Sequence, residues 1–78
     1  MATVVLYSRP GCHLCDDARA VLEAVQREVA FAMEEIDIES EDGLIRDYGL
    51  RIPVVAIDGQ ELFEIAVDAD ALRAAVGG

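Results

Sequence analysis

Hydrophobic and polar positions along the chain divide it into short segments with two different periods. An unbroken apolar run at Thr3–Tyr7 predicts a β-strand that is covered on both faces. Pro10 and Gly11 end this run, and apolar residues then recur at helical spacing, which predicts a helix over residues 13–29. The predicted inward positions of this helix are Leu14, Ala18, Val21, Leu22, Val25 and Val29.

The middle of the chain alternates and then becomes polar. Glu34–Ile38 places apolar and charged residues on opposite faces, which is typical of a half-covered edge strand. After a polar turn at Glu39–Gly43, apolar residues return at helical spacing, and we expect a short helix with a left-handed cap at Gly49. The apolar positions of this helix are Leu44, Ile45 and Tyr48.

A second wholly apolar strand is predicted at Pro53–Ile57, with the proline at the first position, where its missing N–H costs least. The dipeptide Asp58–Gly59 is typical of a two-residue hairpin turn. It leads into Gln60–Ile65, a charged strand of the edge type. The pattern therefore predicts a β-hairpin with one buried and one exposed strand.

The chain closes with a third helix. Asp68 is the expected N-cap of a helix over Asp70–Val76, with Leu72, Ala75 and Val76 inward. The terminal Gly77–Gly78 pair resembles the tail of ubiquitin-like sulfur carriers, but a helix precedes it, so we interpret it as the frayed helix end.

The order of elements, β-α-β-(α)-β-β-α, defines the expected fold. Two strands are apolar throughout and two carry charges, so we expect a four-stranded mixed sheet with the first and third strands in the centre. Helices would cover both faces. The sequence thus predicts an α/β fold in a single domain spanning residues 1–78.

Charge and composition exclude several classes of function. Six arginines, no lysine and sixteen acidic residues give a net charge of −10, which disfavours nucleic acid and anionic membranes as partners. Hydrophobic residues make up 54% of the chain, too many for a disordered protein, but no apolar run approaches the roughly 20 residues of a membrane span. With no signal peptide ahead of Thr3, we expect a cytoplasmic protein, and a monomer.

The candidate chemistry lies in Cys12-His13-Leu14-Cys15, between the first strand and the first helix. Disulfide exchange requires a thiolate, and the unpaired N–H groups and dipole of a helix N-terminus favour one. Arg9 and protonated His13 are candidates for adjusting this preference. We expect the more exposed Cys12 to attack a disulfide and Cys15 to resolve the mixed disulfide.

A metal site is the main alternative interpretation of the two cysteines. A structural zinc ion needs four protein ligands, and the chain contains only two cysteines and one histidine. Zinc or an iron–sulfur cluster would therefore require thiols from a second chain across a dimer. A purely structural disulfide is less favoured, because so short a loop gains little chain entropy.

The most specific patterns of the chain are the segments Tyr7-Ser8-Arg9-Pro10-Gly11-Cys12-His13-Leu14-Cys15 and Tyr48-Gly49-Leu50-Arg51-Ile52-Pro53. With these segments the chain resembles the glutaredoxin-like members of the thioredoxin superfamily, and the resemblance covers nearly its whole length. It is similar above all to short bacterial glutaredoxin-like proteins without an assigned substrate. The first segment resembles the glutaredoxin strand end that leads into the Cys-x-x-Cys motif, and the second resembles the thioredoxin approach to a cis-proline.

The resemblance implies a thioredoxin-like fold and a dithiol–disulfide oxidoreductase. It implies that Cys12 is the nucleophile, that Cys15 is the resolving thiol, and that Pro53 is cis. The backbone of Ile52 would pair with a bound peptide or glutathione as an added strand. Substrates would be protein or glutathione disulfides, and no cofactor would be bound. Electrons would come from glutathione or from a reductase.

Three departures from the family pattern affect this expectation. No proline follows Cys12, and Leu6 stands where thioredoxins have a buried acid. Glutaredoxins have a Gly-Gly pair after the last strand that lets glutathione approach, whereas this chain has Ala66–Val67 there. The missing Gly-Gly pair weakens the expectation that this chain uses glutathione.

Overall fold

The computed structural model describes residues 1–77, which form four strands and three α-helices in the predicted order. Gly78, part of the predicted helix end, lies outside the described residues. A 3₁₀ turn at Ile38–Ser40 joins the second strand to the second helix. The bounds are β1 Thr3–Ser8, α1 His13–Gln26, β2 Ala32–Asp37, α2 Asp42–Tyr48, β3 Val54–Ile57, β4 Gln60–Glu64 and α3 Ala69–Gly77.

The sheet has the strand order β2-β1-β3-β4, so the two apolar strands lie in the centre as predicted. β1 runs parallel to β2 and antiparallel to β3, and β3 runs antiparallel to β4. β3 is buried throughout, and β1 alternates buried with half-buried residues after exposed Thr3. In contrast, β2 and β4 place charged side chains at the edges. Charge on the outer strands also discourages edge-to-edge pairing with another chain.

Helices cover both faces of the sheet, which confirms the predicted α/β layering. On one face α1 and α3 pack against the sheet through fully buried Leu22 and Leu72. On the other face, the ring of Tyr7 stacks on the ring of Tyr48 in α2. The larger core cluster lies on the face that α1 covers and includes Ala18, Leu22 and Val25 of this helix. Fully burying an aliphatic side chain such as that of Leu22 stabilises the fold by about 1.5–3 kcal/mol.

The first helix and second strand differ from the predicted bounds. α1 ends at Gln26 rather than near residue 29, because Glu28 N–H donates to Val25 C=O at 2.9 Å and tightens the last turn. β2 occupies Ala32–Asp37 instead of residues 34–38. Ile38 is still buried, but in the 3₁₀ turn that follows the strand.

The left-handed cap expected at Gly49 is wrong. Gly49 has φ −54°, an ordinary helical value, and its N–H donates to Ile45 C=O at 2.8 Å. A Cβ at this position would lie 2.5 Å from the Ile45 carbonyl oxygen. Glycine is therefore required by close backbone approach rather than by a positive φ.

The C-terminal third follows the prediction with small changes. Asp58 and Gly59 adopt φ values of 52° and 86° and form the predicted hairpin turn. β4 ends at Glu64, one residue early, because Ile65 has a φ of 72° that leaves the extended region. The Asp68 cap is confirmed by a bond from Asp70 N–H to its carboxylate at 3.2 Å. The predicted inward position of Ala75 is wrong, because this residue is exposed.

Candidate active site

The sulfur of Cys12 lies at the N-terminus of α1, where the sequence predicts it. Cys12 is the N-cap residue, with extended backbone, and its Sγ accepts a hydrogen bond from Cys15 N–H at 3.2 Å. The side chain is half-buried and therefore reachable. Because the first N–H groups of a helix lack internal partners, they provide donors for an anionic sulfur at this position.

The second sulfur has the opposite environment. Cys15 has no exposed surface and packs with Ile38 and Ile52 beneath Cys12. Burial, followed by a hydrogen bond to Cys12, raises the pKa of the Cys15 thiol to about 11, although the backbone N–H of Arg9 opposes this. The pair thus combines an accessible sulfur near backbone donors with a buried thiol held in its protonated form.

Of the two predicted tuning residues, Arg9 precedes the motif and His13 lies within it. Arg9 directs its guanidinium to Glu39, with Nη2 2.8 Å from Oε2, so part of its charge is shared with a carboxylate. His13 is the first residue of α1 and is exposed. Leu14, predicted to face the core, is 49% exposed and leaves an apolar side chain on the surface within the motif.

The predicted substrate-binding segment lies against the cysteines. The Ile52–Pro53 peptide bond is cis, as the resemblance implies. The side chain of Ile52 packs on Cys15, and its N–H donates to Tyr48 C=O at 3.1 Å. The Pro53 carbonyl accepts from Ile65 N–H at 2.8 Å. The segment is therefore fixed to α2 on one side and to the end of β4 on the other.

A hydrogen-bonded cluster beside the motif was not predicted. The buried hydroxyl of Ser8 donates to Glu35 at 2.7 Å, and Arg19 binds the same carboxylate and also Asp16. The Arg19 guanidinium, followed by the Ser8 hydroxyl, outweighs desolvation and lowers the pKa of Glu35. The spacing of Arg19, three residues after Asp16 and four after Cys15, is the signal that could have revealed it.

A second unpredicted feature is an aromatic stack on the α2 face. The Tyr7 and Tyr48 ring centroids are 4.3 Å apart at an interplanar angle of 13°. The Arg51 guanidinium carbon lies 5.4 Å from the Tyr48 centroid, and that guanidinium also pairs with Glu61 and Glu64. Burial raises the pKa of Tyr48 to about 12, so its hydroxyl remains protonated at neutral pH.

The surroundings of the cysteines offer few further ligands. Among residues 1–77, no group of three or more histidine, cysteine or acidic side chains is arranged to hold a metal ion. Zinc or a cluster bound through Cys12 and Cys15 would thus need ligands from elsewhere. Across the same residues, no helix has the length and hydrophobicity to cross a bilayer.

Comparison with known proteins places this site in a family. Residues 3–77 match the family model described as "Glutaredoxin-like domain (DUF836)". A relative from Dictyostelium discoideum, "Glutaredoxin-like protein YDR286C homolog", is 33% identical over 72 residues, covering 85% of this chain and 67% of the relative. The chain belongs to the glutaredoxin-like family.

Solved structures show the same architecture. The solution structure of protein Ne2328 from Nitrosomonas europaea superposes with a TM-score of 0.82 at 34% identity, covering 96% of this chain and 91% of that one. A thioredoxin variant from Halobacterium salinarum NRC-1 gives a TM-score of 0.70 at 24% identity, covering 96% and 71%. The latter shows likeness of fold alone, and together they confirm the predicted thioredoxin-like fold.

Proposed function

We propose that this protein is a dithiol–disulfide oxidoreductase in which Cys12 attacks and Cys15 resolves. The Cys12 thiolate attacks one sulfur of a partner disulfide, that bond breaks, and the other partner sulfur leaves as a thiolate. The Cys15 thiolate then attacks Cys12 Sγ and releases the second partner thiol. The partner gains two electrons, and the chain is left with a Cys12–Cys15 disulfide.

The observation that carries the proposal is the contrast between the two sulfurs. Cys12 Sγ is reachable and accepts the N–H of Cys15 at the start of α1, whereas Cys15 is fully buried directly beneath it. A partner disulfide can reach only the first sulfur, and the second is positioned to act within the molecule. This division of roles is what a two-step exchange requires.

The remaining site residues have supporting roles in the proposal. Arg9 and His13 adjust the reactivity of Cys12, and Ile52 and Pro53 form the edge where an extended partner segment pairs with backbone. The Ile52 N–H is already bonded to Tyr48, so the Ile52 carbonyl is the group that such a segment would bind. Glutathione or a reductase would restore the dithiol, in the cytoplasm and without a bound cofactor.

Substitution of each cysteine tests the proposal. Cys12→Ser should abolish reduction of insulin and of a glutathione mixed disulfide, because no accessible sulfur remains. Cys15→Ser should instead form a stable covalent adduct with the partner, since nothing resolves it. Both outcomes can be measured by thiol release and by intact-protein mass spectrometry. Equal residual turnover in the two variants would show that neither thiol is catalytic.

A redox titration provides an independent check. The pair should titrate within the range of the superfamily, roughly −270 to −120 mV. A pair that stays reduced against the strongest oxidants of that range would refute the exchange mechanism. Metal analysis of protein purified without chelator tests whether the same thiols bind a metal instead. A zinc ion or an iron–sulfur cluster shared by two chains would give half a metal site per chain.

A further inference from the structure

An apolar groove lies beside the cysteine motif, between the first turns of α1 and the segment that follows β4. Its volume is about 130 Å³, close to the ~150 Å³ of a cavity that accepts a benzene-sized group. The lining is aliphatic except for one carboxylate, that of Asp17. The aliphatic residues are Leu14, Ala18, Val21, Ile65, Ala66 and Val67. We call this feature the Leu14–Ile65 groove.

The groove is continuous with the reactive edge of the molecule. Leu14 lies between the two cysteines in the sequence, and Ile65 N–H bonds to the carbonyl of Pro53 at 2.8 Å. Pro53 in turn follows Ile52, which packs on Cys15. The groove is therefore connected through Leu14 and Ile65 to the segments that hold the two cysteines.

Ile65, which lines the groove, combines an exposed apolar side chain with an unfavourable backbone conformation. Ile65 has φ 72°, and Ala66 N–H donates to Glu64 C=O at 2.8 Å across it, which forms a γ-turn of the strained, positive-φ type. A β-branched residue is a clear outlier at this φ, yet 44% of Ile65 remains exposed. More than half of Ile65 is buried, and an apolar group of a partner in the groove that it lines would cover the exposed part.

Charge near the site determines which partners are compatible. Three arginines on the segments that form the site, Arg9, Arg19 and Arg51, each bind carboxylates of the chain itself. Asp17 in the groove and Asp68 next to it form no ion pair within residues 1–77. The groove is therefore bordered by uncompensated negative charge on a chain of net charge −10.

From this geometry we infer that the substrate is a protein disulfide whose cysteine is flanked by an apolar side chain and basic residues. The inference rests on the proposed function and specifies its substrate class. The apolar side chain occupies the Leu14–Ile65 groove, and the basic residues face Asp17 and Asp68. Glutathione disulfide is disfavoured, because each half carries two carboxylates against a single ammonium group and has no large apolar side chain.

Four symmetrical disulfides separate the contributions of the groove and of charge. Three are short peptides with one cysteine each. In the leucine–arginine peptide, leucines flank the cysteine and arginines stand at the ends. The leucine–glutamate peptide replaces the arginines by glutamates, and the serine–arginine peptide replaces the leucines by serines. The fourth is glutathione disulfide. The rate constant for attack by Cys12 is measured in two ways. In the wild-type chain it is the rate at which the free thiols of Cys12 and Cys15 disappear, and in Cys15→Ser it is the rate at which the covalent adduct with the peptide forms.

The leucine–arginine peptide should react fastest. At low ionic strength it should exceed the leucine–glutamate peptide about tenfold, and this ratio should shrink as salt screens the charges. It should exceed the serine–arginine peptide about tenfold at all salt concentrations, because burial of an apolar side chain is not screened. Glutathione disulfide reacting as fast as the leucine–arginine peptide would overturn the inference.

Matched variants test the residues themselves. Ile65→Gln should slow the leucine–arginine peptide several-fold, whereas Ile65→Val should not, and Ile45→Gln removes a similarly exposed side chain (40%) on α2 as a control. Asp17→Asn should reduce the preference for arginine over glutamate, and Glu23→Gln, farther along α1 outside the groove, should leave it unchanged. Since Ile65 and Asp17 are exposed, folding should persist, which circular dichroism verifies.

The outcomes separate the inference from the proposed function. If the disulfides react with Cys12 but Ile65→Gln matches the wild type, the exchange chemistry stands and the groove assignment is refuted. If no disulfide reacts with either the wild-type chain or Cys15→Ser, both proposals are refuted together.

Discussion

The sulfurs of Cys12 and Cys15 differ in exposure because the two residues occupy different positions at the start of α1. Cys12 is the N-cap, so its side chain points back toward backbone donors, and Cys15 N–H reaches it at 3.2 Å. Cys15 belongs to the first turn and faces the core beside Ile38 and Ile52. Capping geometry and helical periodicity thus give the two sulfurs the accessible and the buried position that the proposed attacking and resolving roles require.

The buried thiol should control the pH dependence of the second step. With the pKa of Cys15 at about 11, its thiolate is scarce at neutral pH and increases about tenfold per pH unit below that value. Release of the partner from Cys12 should therefore accelerate about tenfold per unit between about pH 7 and pH 9. Release of a chromophoric thiol from a mixed disulfide at Cys12 measures this rate.

The Cys15→Ser variant provides the baseline for this measurement, because any release it shows comes from solvent or added thiol. Burial remains the main cause of the raised pKa after Cys12 has formed the mixed disulfide. A wild-type release rate that is already level below about pH 8 would contradict the assigned environment of Cys15.

At the scale of elements, the helix α2 fixes the far side of the site. Its C-terminus places Tyr48 against Tyr7 and binds the N–H groups of Arg51 and Ile52 through the Tyr48 carbonyl. The helix has only seven residues, too few to be stable alone, so its position depends on these tertiary contacts and on a tight end at Gly49.

The two glycines at the ends of α2 should respond in opposite ways to alanine. Gly49→Ala places Cβ 2.5 Å from the Ile45 carbonyl oxygen and should lower the free energy of unfolding by about 1–3 kcal/mol. Gly43→Ala meets only an arginine side chain at 3.5 Å and should raise it by up to about 1 kcal/mol through helix propensity. Urea unfolding of both variants measures the difference, and equal effects would refute the close-approach explanation.

Hydrophobic periodicity predicted the elements of this fold well, because an element that buries one face has apolar residues at the spacing of that face. The two apolar strands, the hairpin turn and the position of the cysteine motif at a helix N-terminus all follow from local patterns. Gly49 shows where this fails: a glycine suggests a positive φ, but only the position of Ile45 reveals a close contact. A local pattern cannot distinguish these two reasons.

The parts of the site that the sequence did not reveal depend on contacts between distant segments. Glu35 reaches Ser8 and Arg19 only because β2 lies beside β1 in the sheet, at a sequence separation of 27 residues from Ser8. Leu14 fits the periodicity of α1, which predicts it in the core, yet it lines an open groove with Ile65. Helical spacing identifies a face but does not show whether another element covers it.

At the scale of the whole molecule, most arginines are paired locally, but the acidic residues far outnumber them. Five of the six arginines form ion pairs with nearby carboxylates within residues 1–77. The net charge is nevertheless −10 on 78 residues, so the carboxylates outside these pairs repel one another. Exposed ion pairs contribute about 0–1 kcal/mol each, and the excess charge opposes the compact state over longer distances.

Salt should therefore stabilise this protein at neutral pH, because screening the net repulsion outweighs screening the exposed pairs. Raising the ionic strength from about 0.01 M to 0.15 M shortens the Debye length from about 30 Å to 8 Å, which is within the dimensions of the molecule. A gain of about 1 kcal/mol would raise the unfolding temperature by about 4–8 °C, and sodium chloride and choline chloride should act alike. At pH 4.2, the isoelectric point, the gain should vanish. A lower unfolding temperature in salt at neutral pH would instead show that the arginine pairs dominate the electrostatic energy.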